Sequence, residues 1–363
     1  EQRMTLATPS TITNGINPII RETVLYQDSL HIGVLSSQDE SFFRSLQSAI
    51  DESDPVERCK RYSAKYNESL NRRIFYGALI ADEPVELLEI VAAETYGVYD
   101  GMVFVEGNRT QNFTPRPFRR THHGESLGQL FGSTVKVRDF VNEDSRLLDL
   151  DREHAQRAEI LTGWKEFGMQ PDDIGLLGDA DETFTRDFLR AVQTCDFVFF
   201  DHEKHHCKHD FVKAVATTRV FEGSPECISD GRVWFHPDMI LGHCIEGIGS
   251  HSPAPRTSGS FLRAQGYGKD CTDWENENTI TDNKYPAWSA ADFRRTCGGR
   301  FVDVSKQGGA KFSRYTAFHF HNFFAQFNDT RFKYLTYGHP DKHVMEKTME
   351  EMSNDLKMMV RCV

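Results

Sequence analysis

A short acidic turn carries the clearest chemical signal in this sequence. Asp179, Asp181 and Glu182 follow the apolar run 172–177, and a helix is predicted directly after them from Thr185 to Gln193. Two carboxylates one residue apart can face the same cation, and oxygen ligands suit Mg²⁺ or Mn²⁺, which also bind diphosphates. Such a cation would stabilise a departing diphosphate as a Lewis acid. The alternative is a solvated acidic turn that caps the helix, because acids favour helix N-termini.

Two other polar clusters could bind ligands. The segment from His202 to His209 contains four histidines and Cys207, which are residue types that bind zinc. No second Cys/His pair lies nearby, so a polar loop after a predicted strand at 197–200 is the favoured interpretation. A basic group could attract an anionic nucleotide, although a solvated surface patch is favoured for it: Arg116, Arg119 and Arg120.

The elements that must position the acidic turn include a predicted strand–helix–strand unit. Residues 72–80 have strand composition, a helix can start at Asp82-Glu-Pro84, and Gly97 is a plausible helix end. A second buried strand covers 100–105. A βαβ unit of this length implies a parallel sheet, and open α/β sheets place their ligands at the carboxyl ends of the strands.

The remaining sequence predicts further elements with a weaker pattern. Residues 1–28 form a polar arm, and 107–146 and 245–290 are rich in loops. The predicted strand and helices are His31–Leu35, a helix through Phe42 to Ile50, Val56–Leu70, Asp151–Phe167 and His343–Val360.

Several segments, in the same order, resemble motifs of glycosyltransferase family 17. The resemblance covers about three quarters of the chain, roughly 72–345. Its motifs are the opening strand–helix–strand from Arg72 to Glu106, Thr110–Phe118, Glu153-His-Ala-Gln-Arg157, Asp172–Glu182, Ala317-Phe-His-Phe-His321 and Lys333–His339.

The chain also departs from the family pattern at specific positions. A family glycine is Phe113 here, Ile-Pro after the acidic motif is Thr183-Phe184, and Gly-Trp is Ala317-Phe318. The family serine near the end is His321, and a leucine is Phe118. The reaction type therefore carries over better than the donor sugar or the acceptor.

The resemblance implies an α/β, GT-A-like glycosyltransferase fold with a mainly parallel central sheet flanked by helices. Residues 1–71 would be an N-terminal arm and helices of unknown role, and 72–363 the transferase domain, with a nucleotide-sugar half to about 210 and an acceptor half after it. The implied reaction is an inverting, metal-dependent transfer onto a glycan, possibly an N-glycan mannose. UDP-GlcNAc is the best choice of donor, and Mn²⁺ or Mg²⁺ is the cofactor.

The resemblance also implies roles for individual residues. Catalytic roles fall to Asp179, Asp181 and Glu182; contacts with the nucleotide sugar to Glu106, Arg157, Asp179 and His319; and the metal to Asp179, Asp181 and His339. Arg157 could instead pair within its helix with Glu153. The sequence does not identify the general base that an inverting transfer needs, and further candidates are Asp273, Glu275 and Asp292.

Composition excludes some function classes and suggests a compartment. The formal charge is −12, which argues against a general nucleic-acid binder, and no apolar run approaches membrane-spanning length. Eight cysteines without a Cys-x-x-Cys pair, together with four N-x-[ST] sequons, favour disulfides and a secretory-pathway lumen. We expect a Golgi protein, of type II topology in full length, whose anchor is missing from these residues.

Three rival hypotheses remain open from the sequence. The first is a transferase for another nucleotide sugar or acceptor. The second is a non-catalytic glycan-binding protein on the same fold, which has no use for a metal-binding turn. The third is a metal-dependent phosphohydrolase that uses the same acids and needs no acceptor.

Overall fold

A computed structural model of the chain describes residues 37–197 without a break. It further describes 200, 213–215, 218–224, 227–228, 234, 236–245, 247–249, 300–301, 315–323, 333–334, 336, 346–348 and 350–354. The α-helices are α1 Ser37–Asp51, α2 Pro55–Arg61, α3 Val85–Thr95, α4 Gly124–Phe131, α5 Asp149–Glu166 and α6 Arg186–Thr194. The first seven strands are β1 Lys65–Tyr66, β2 Ile74–Leu79, β3 Gly101–Gly107, β4 Val135–Phe140, β5 Ile174–Asp179, β6 Glu182–Phe184 and β7 Cys195–Asp196. The later strands are β8 Lys213–Val215, β9 Thr218–Glu222, β10 Asp238–Leu241, β11 Arg300–Phe301 and β12 Ala317–His321.

A seven-stranded sheet forms the centre of the fold, in the order β11-β8-β10-β5-β2-β3-β4. Four of its six strand pairs are parallel, and β10 pairs antiparallel with both β5 and β8. The strands β2, β3 and β5 are almost wholly buried, as expected for parallel strands covered on both faces. The chain is therefore a mixed α/β protein with a mainly parallel central sheet and flanking helices, which agrees with the predicted fold class at this level.

Glycines let helix α5 approach this sheet closely. A β-carbon on Gly77 of β2 would lie 2.1 Å from Cγ2 of Ile160, and one on Gly163 would lie 2.5 Å from Cγ2 of Val103. The indole of Trp164 is fully buried and donates a hydrogen bond to the carbonyl of Tyr76 at 3.0 Å. This contact fixes α5 along the sheet and brings its earlier turns to the carboxyl ends of β2 and β5.

A second, smaller sheet lies beside the acidic turn. Strand β12 is its centre and pairs antiparallel with β6 and parallel with β9. The amide of Phe320 donates to the carbonyl of Asp181 at 2.9 Å. Strand β12, which lies far from Asp181 in the sequence, is thereby hydrogen-bonded to the acidic turn.

The N-terminal helices are tied to the rest of the protein by a disulfide. Cys59 in α2 is bonded to Cys195 at the start of β7, and both are fully buried. Cys227 and Cys244 are disulfide-bonded as well. At the residues described, the expectation of disulfides is confirmed.

Most predicted elements before residue 196 are present, but several boundaries and one region were wrong. The region 107–146 contains α4 and β4, which were missed because they are only eight and six residues long and β4 is a half-exposed edge strand. The helix predicted over 56–70 ends at Arg61, since Ser63 has a φ of 55° and the chain then enters β1.

One further prediction differs from the described residues. The strand predicted at 197–200 is replaced by the short strand β7, after which the buried Phe197 accepts a hydrogen bond from the amide of Phe200. Of the helix predicted from His343 to Val360, residues 346 and 350–354 are helical, and Thr348 and Glu351 form a reciprocal capping box; both predicted ends lie outside the described residues. The predictions for residues 1–35, 202–209 and 251–290 lie outside the described residues. In the part of the chain that is described, no helix is long and apolar enough to cross a bilayer.

Candidate functional site

A cavity opens where β2 and β5 end and β12 passes beside them. Residues from the ends of β2 and β5, from α5, from β12 and from the segment 333–336 line it. Four predicted site residues meet there although they come from three separate regions of the sequence: Arg157, Asp179, Asp181 and His319. This position is the one at which open α/β sheets bind their ligands.

Arg157 holds the first acid of the turn. Its guanidinium lies 2.5 Å from Oδ1 of Asp179, donates to Glu153 at 2.9 Å and donates to the carbonyl of Gly178 at 3.0 Å. The Arg157 side chain is 2% exposed, whereas that of Asp179 is 35% exposed. Arg157 therefore binds Glu153, its predicted partner within the helix, and an acid of the site at the same time.

The second acid, Asp181, faces two basic side chains. Its Oδ2 lies 3.5 Å from Nε2 of His319 and 3.8 Å from Nζ of Lys333. Burial opposes the charged form of Asp181, but the attraction of His319 and Lys333 is stronger and lowers the pKa of this carboxyl. Burial also opposes protonation of His319, and Asp181 outweighs it and raises the pKa of the imidazole. The ring of His319 stacks on that of Trp234 at 4.9 Å.

Glu182 supports the turn and does not line the cavity. Its carboxylate is fully buried; one oxygen accepts the amide of Asp179 at 2.9 Å and the other accepts the indole N–H of Trp234 at 2.8 Å. Through these contacts Glu182 positions the backbone of Asp179 and the ring of Trp234, both of which line the cavity. The geometry therefore places Glu182, which was predicted among the catalytic residues, in a positioning role.

Glu106, like Glu182, is not among the residues that line the cavity. Its buried carboxylate accepts the backbone amides of Arg119, Arg120 and Thr121 at 2.7 to 3.0 Å. It was predicted to contact the nucleotide sugar, but its hydrogen bonds in the structure are with these three amides and with the Thr121 hydroxyl at 3.2 Å. The carboxylate thus orders the loop that carries the basic residues.

The basic residues of that loop are not a solvated patch. Arg119 pairs with Asp82 at 2.7 Å, Arg116 lies 3.9 Å from the same carboxylate, and Arg120 is fully buried. Arg116 and Asp82 both line the cavity. The favoured interpretation of this cluster was therefore wrong, and Arg116 brings a positive charge to the cavity wall.

The described side chains do not by themselves fit a divalent cation. Asp179 is held by Arg157, and Asp181 faces both His319 and Lys333. Within the described ranges, no three His, Cys, Asp or Glu residues stand close enough to hold a metal ion. His339, predicted as a ligand, lies outside those ranges, as do Asp273, Glu275 and Asp292. The requirement for Mn²⁺ or Mg²⁺ stays a prediction from the spacing of the two acids and from the family resemblance.

Sequence reasoning missed a second set of polar residues on the cavity wall. Nδ1 of His321 lies 2.9 Å from both carboxylate oxygens of Glu222, and Asn322 donates to the same carboxylate at 2.7 Å. Tyr334 hydrogen-bonds to Asn322, and both Tyr334 and His321 line the cavity. One signal was available: His319 and His321 are two apart, so in a strand they face the same side.

Comparisons with known proteins give little further information. No family model and no curated protein matches the chain. Among solved structures, the chain is weakly similar to the glycosyltransferase GlyE of Streptococcus pneumoniae TIGR4, with a TM-score of 0.28 and 8% sequence identity. The match covers 78% of this chain and 63% of that one, so this chain spans less than two thirds of its length. A likeness this weak does not establish a shared fold.

Proposed function

We propose that this chain is an inverting glycosyltransferase of GT-A-like fold that takes a sugar from a nucleotide diphosphate donor. UDP-GlcNAc is the first choice of donor, and a glycan hydroxyl, possibly on an N-glycan mannose, is the acceptor. The observation that carries the proposal is the acidic turn Asp179–Asp181 at the carboxyl end of β5, facing Lys333 across one cavity. The donor and acceptor themselves are taken from the resemblance to family 17.

The side chains suggest how such a transfer is supported. The departing diphosphate carries negative charge, and Lys333 and Arg116 present cationic groups at the cavity wall. Asp179 and Asp181 are held in place by Arg157 and His319, so that they can contact the sugar or ribose without reorganisation. Glu182 keeps the turn in this conformation through the amide of Asp179.

Donor binding is the first test of this proposal. A thermal-shift panel of UDP-GlcNAc, UDP-galactose, UDP-glucose and GDP-mannose would be run with Mn²⁺ and again with chelator. A donor present at one hundred times its Kd stabilises the native state by about 2.7 kcal/mol. Asp181→Asn should lose this shift, whereas Asp172→Asn, which alters an exposed acid outside the cavity, should keep it.

The outcomes of this panel separate the hypotheses. A shift with one donor, followed by release of UDP in the presence of a glycan acceptor, supports a transferase. A thermal shift that persists with chelator would contradict the predicted need for Mn²⁺ but would leave the proposed transferase activity intact. If no nucleotide sugar stabilises the protein, the proposal fails; glycan binding without donor binding would then favour a lectin-like role, and phosphate release without an acceptor would favour a hydrolase.

We also propose a secretory-pathway location. The buried disulfide between Cys59 and Cys195 supports it, because disulfides persist in oxidising compartments and are rare in the cytosol. Mass spectrometry of the protein isolated from its native cells, alkylated before lysis, would test the location. Free thiols at both positions would contradict it.

A further inference from the structure

The pairing of two strands places a histidine and a carboxylate together on the cavity wall. Strand β12 lies parallel to β9, and in that register His321 is opposite Glu222. His319 and His321 are on the same face of β12, because side chains alternate along a strand. Their rings are 5.3 Å apart, and both residues line the cavity. His321 therefore belongs to the same site as Asp181, whose carboxylate faces His319.

The contacts of His321 define which ring nitrogen can act. Nδ1 lies 2.9 Å from the Glu222 carboxylate, which accepts hydrogen bonds and so favours the proton on Nδ1. Asn322 donates to that carboxylate and is itself bonded to Tyr334, so the acid is held in turn. A base oriented by a second group that is itself held is the arrangement found where histidine takes protons. In this tautomer Nε2 is the proton acceptor.

The surroundings keep the imidazole neutral. Burial lowers the pKa of His321, and the charges of Lys333 and His319 act in the same direction, while the Glu222 carboxylate raises it in part. A neutral ring at pH 7 can accept a proton without first losing one. Among the described residues, the charged or titratable groups that act on His321 are thus Lys333, Glu222 and His319.

We propose that His321 is the general base of the transfer. This inference depends on the proposed function and adds the residue that the sequence alone did not identify. In the step, Nε2 of His321 takes the proton of the acceptor hydroxyl as its oxygen bonds to the anomeric carbon. The bond from that carbon to the diphosphate oxygen breaks, and its electron pair leaves with the nucleotide diphosphate. The imidazolium then returns its proton to water.

A second acid in the cavity is the main competitor for this role. Glu83 lines the same cavity, and burial raises the pKa of its carboxyl. Its Oε2 accepts the amide of Ala81 at 2.6 Å, so its carboxylate closes the turn after β2. A raised pKa brings a glutamate closer to the range in which a general base works best, so geometry decides between the two: Glu83 Oε2 is engaged by its own turn, whereas Glu222 orients Nδ1 of His321. Separate substitutions of Glu83 and His321 distinguish which of the two side chains is the base.

The experiment measures the release of UDP from UDP-GlcNAc, with a mannose-containing N-glycan as acceptor and with water alone. His321→Gln should lower kcat at least 100-fold, because a general base typically contributes 10²- to 10⁴-fold. Its Kd for UDP-GlcNAc should stay within about twofold of the unchanged protein, since the base acts after the donor is bound. Added imidazole should restore part of the activity of His321→Ala.

His243→Gln is the matched control. Nε2 of His243 lies 3.2 Å from Asp172, so the control also removes a histidine paired with an acid, but His243 does not line the cavity. Its kcat should match that of the unchanged protein. Circular dichroism and the melting temperature would confirm that each variant is folded.

Glu222→Gln provides a second readout that a structural role would not move. The Glu222 carboxylate raises the pKa of His321, so its removal should shift the acidic limb of the kcat profile to lower pH while also lowering kcat. This variant keeps the size of the side chain and tests the proposal even if His321→Gln does not fold.

The inference fails if His321→Gln retains kcat within threefold, if it loses UDP-GlcNAc binding in proportion to activity, or if Glu83→Gln alone abolishes turnover. It also fails if the acidic limb stays in place in Glu222→Gln. These results leave the proposed function intact, because they require that the unchanged protein transfers the sugar. No UDP release by the unchanged protein from any donor would overturn both.

Discussion

The strongest test of the site's architecture is the removal of Arg157. This guanidinium joins α5 to the acidic turn, and Arg157→Met keeps most of the side-chain volume while it removes the charge. Glu153 would lose two charge-assisted hydrogen bonds and Asp179 one, and the carbonyl of Gly178 would lose a donor. We expect both a loss of stability and a loss of donor binding, because the turn would no longer be held against α5.

The magnitude follows from the burial of the three charges. Breaking a buried ion pair costs about 3–5 kcal/mol, since a buried charge is left without its partner. The Arg157 and Glu153 side chains are 2% and 11% exposed, but Asp179 is 35% exposed and water can replace part of its interaction. The expected loss is therefore near the lower end of that range, about 3 kcal/mol.

Arg138→Met is the matched control for this variant. Arg138 also bonds to two acids, Glu159 and Glu166 of α5, but those acids are 37% and 42% exposed. Exposed pairs contribute about 0–1 kcal/mol. Urea unfolding with linear extrapolation would measure both variants, and the slope should stay the same. Equal losses in the two variants would refute the reasoning that the Arg157 cluster is held by buried charge.

Three further predictions concern stability. The double variant Cys59→Ala/Cys195→Ala opens a link between residues 136 apart and should lose about 5 kcal/mol in urea unfolding, and a loss below about 1 kcal/mol would contradict the chain-entropy estimate. His319→Gln should lower the free energy of unfolding most between about pH 4 and 6.5. The raised pKa of His319 contributes stability below pH 6.5, and this contribution is lost as the pH rises through the pKa of the folded state. The lowered pKa of Asp181 contributes stability above pH 3.8, and this contribution is lost on acidification. A pH-independent difference would show that the pair is not charged. Thr185 accepts the amide at the third position of α6, so Thr185→Ala should cost about 1 kcal/mol and Thr185→Ser should not, as thermal unfolding would show.

Local pattern was sufficient for the elements with a strong signal. The βαβ unit of β2, α3 and β3 was predicted because two apolar runs flank a helix that ends near Gly97, whose φ is 65°. α5 and α6 were predicted within two residues at each end. By contrast, β4 was missed because the alternation of apolar and polar residues in Val135-Lys-Val-Arg138 lasts only four residues and lies in a loop-rich region.

Part of the site could also be predicted from local sequence pattern. Asp179 and Asp181 follow an apolar strand, so their place at the sheet edge follows from chain order. The contacts of Glu106 and Glu182 could not be predicted, because a carboxylate that binds backbone amides has the same sequence signature as one that binds a ligand. Only the amides placed beside them distinguish the two.

The sequence by itself determined three neighbouring strands of the central sheet (β2, β3 and β5), the acidic turn at the end of β5 and the residue types available for chemistry. The tertiary structure decided which of these residues meet. Glu222 and His321 are 99 positions apart and become neighbours only through the register of β9 and β12. No local pattern shows which distant strands will pair, because that choice depends on how the sheets and helices pack in the folded chain.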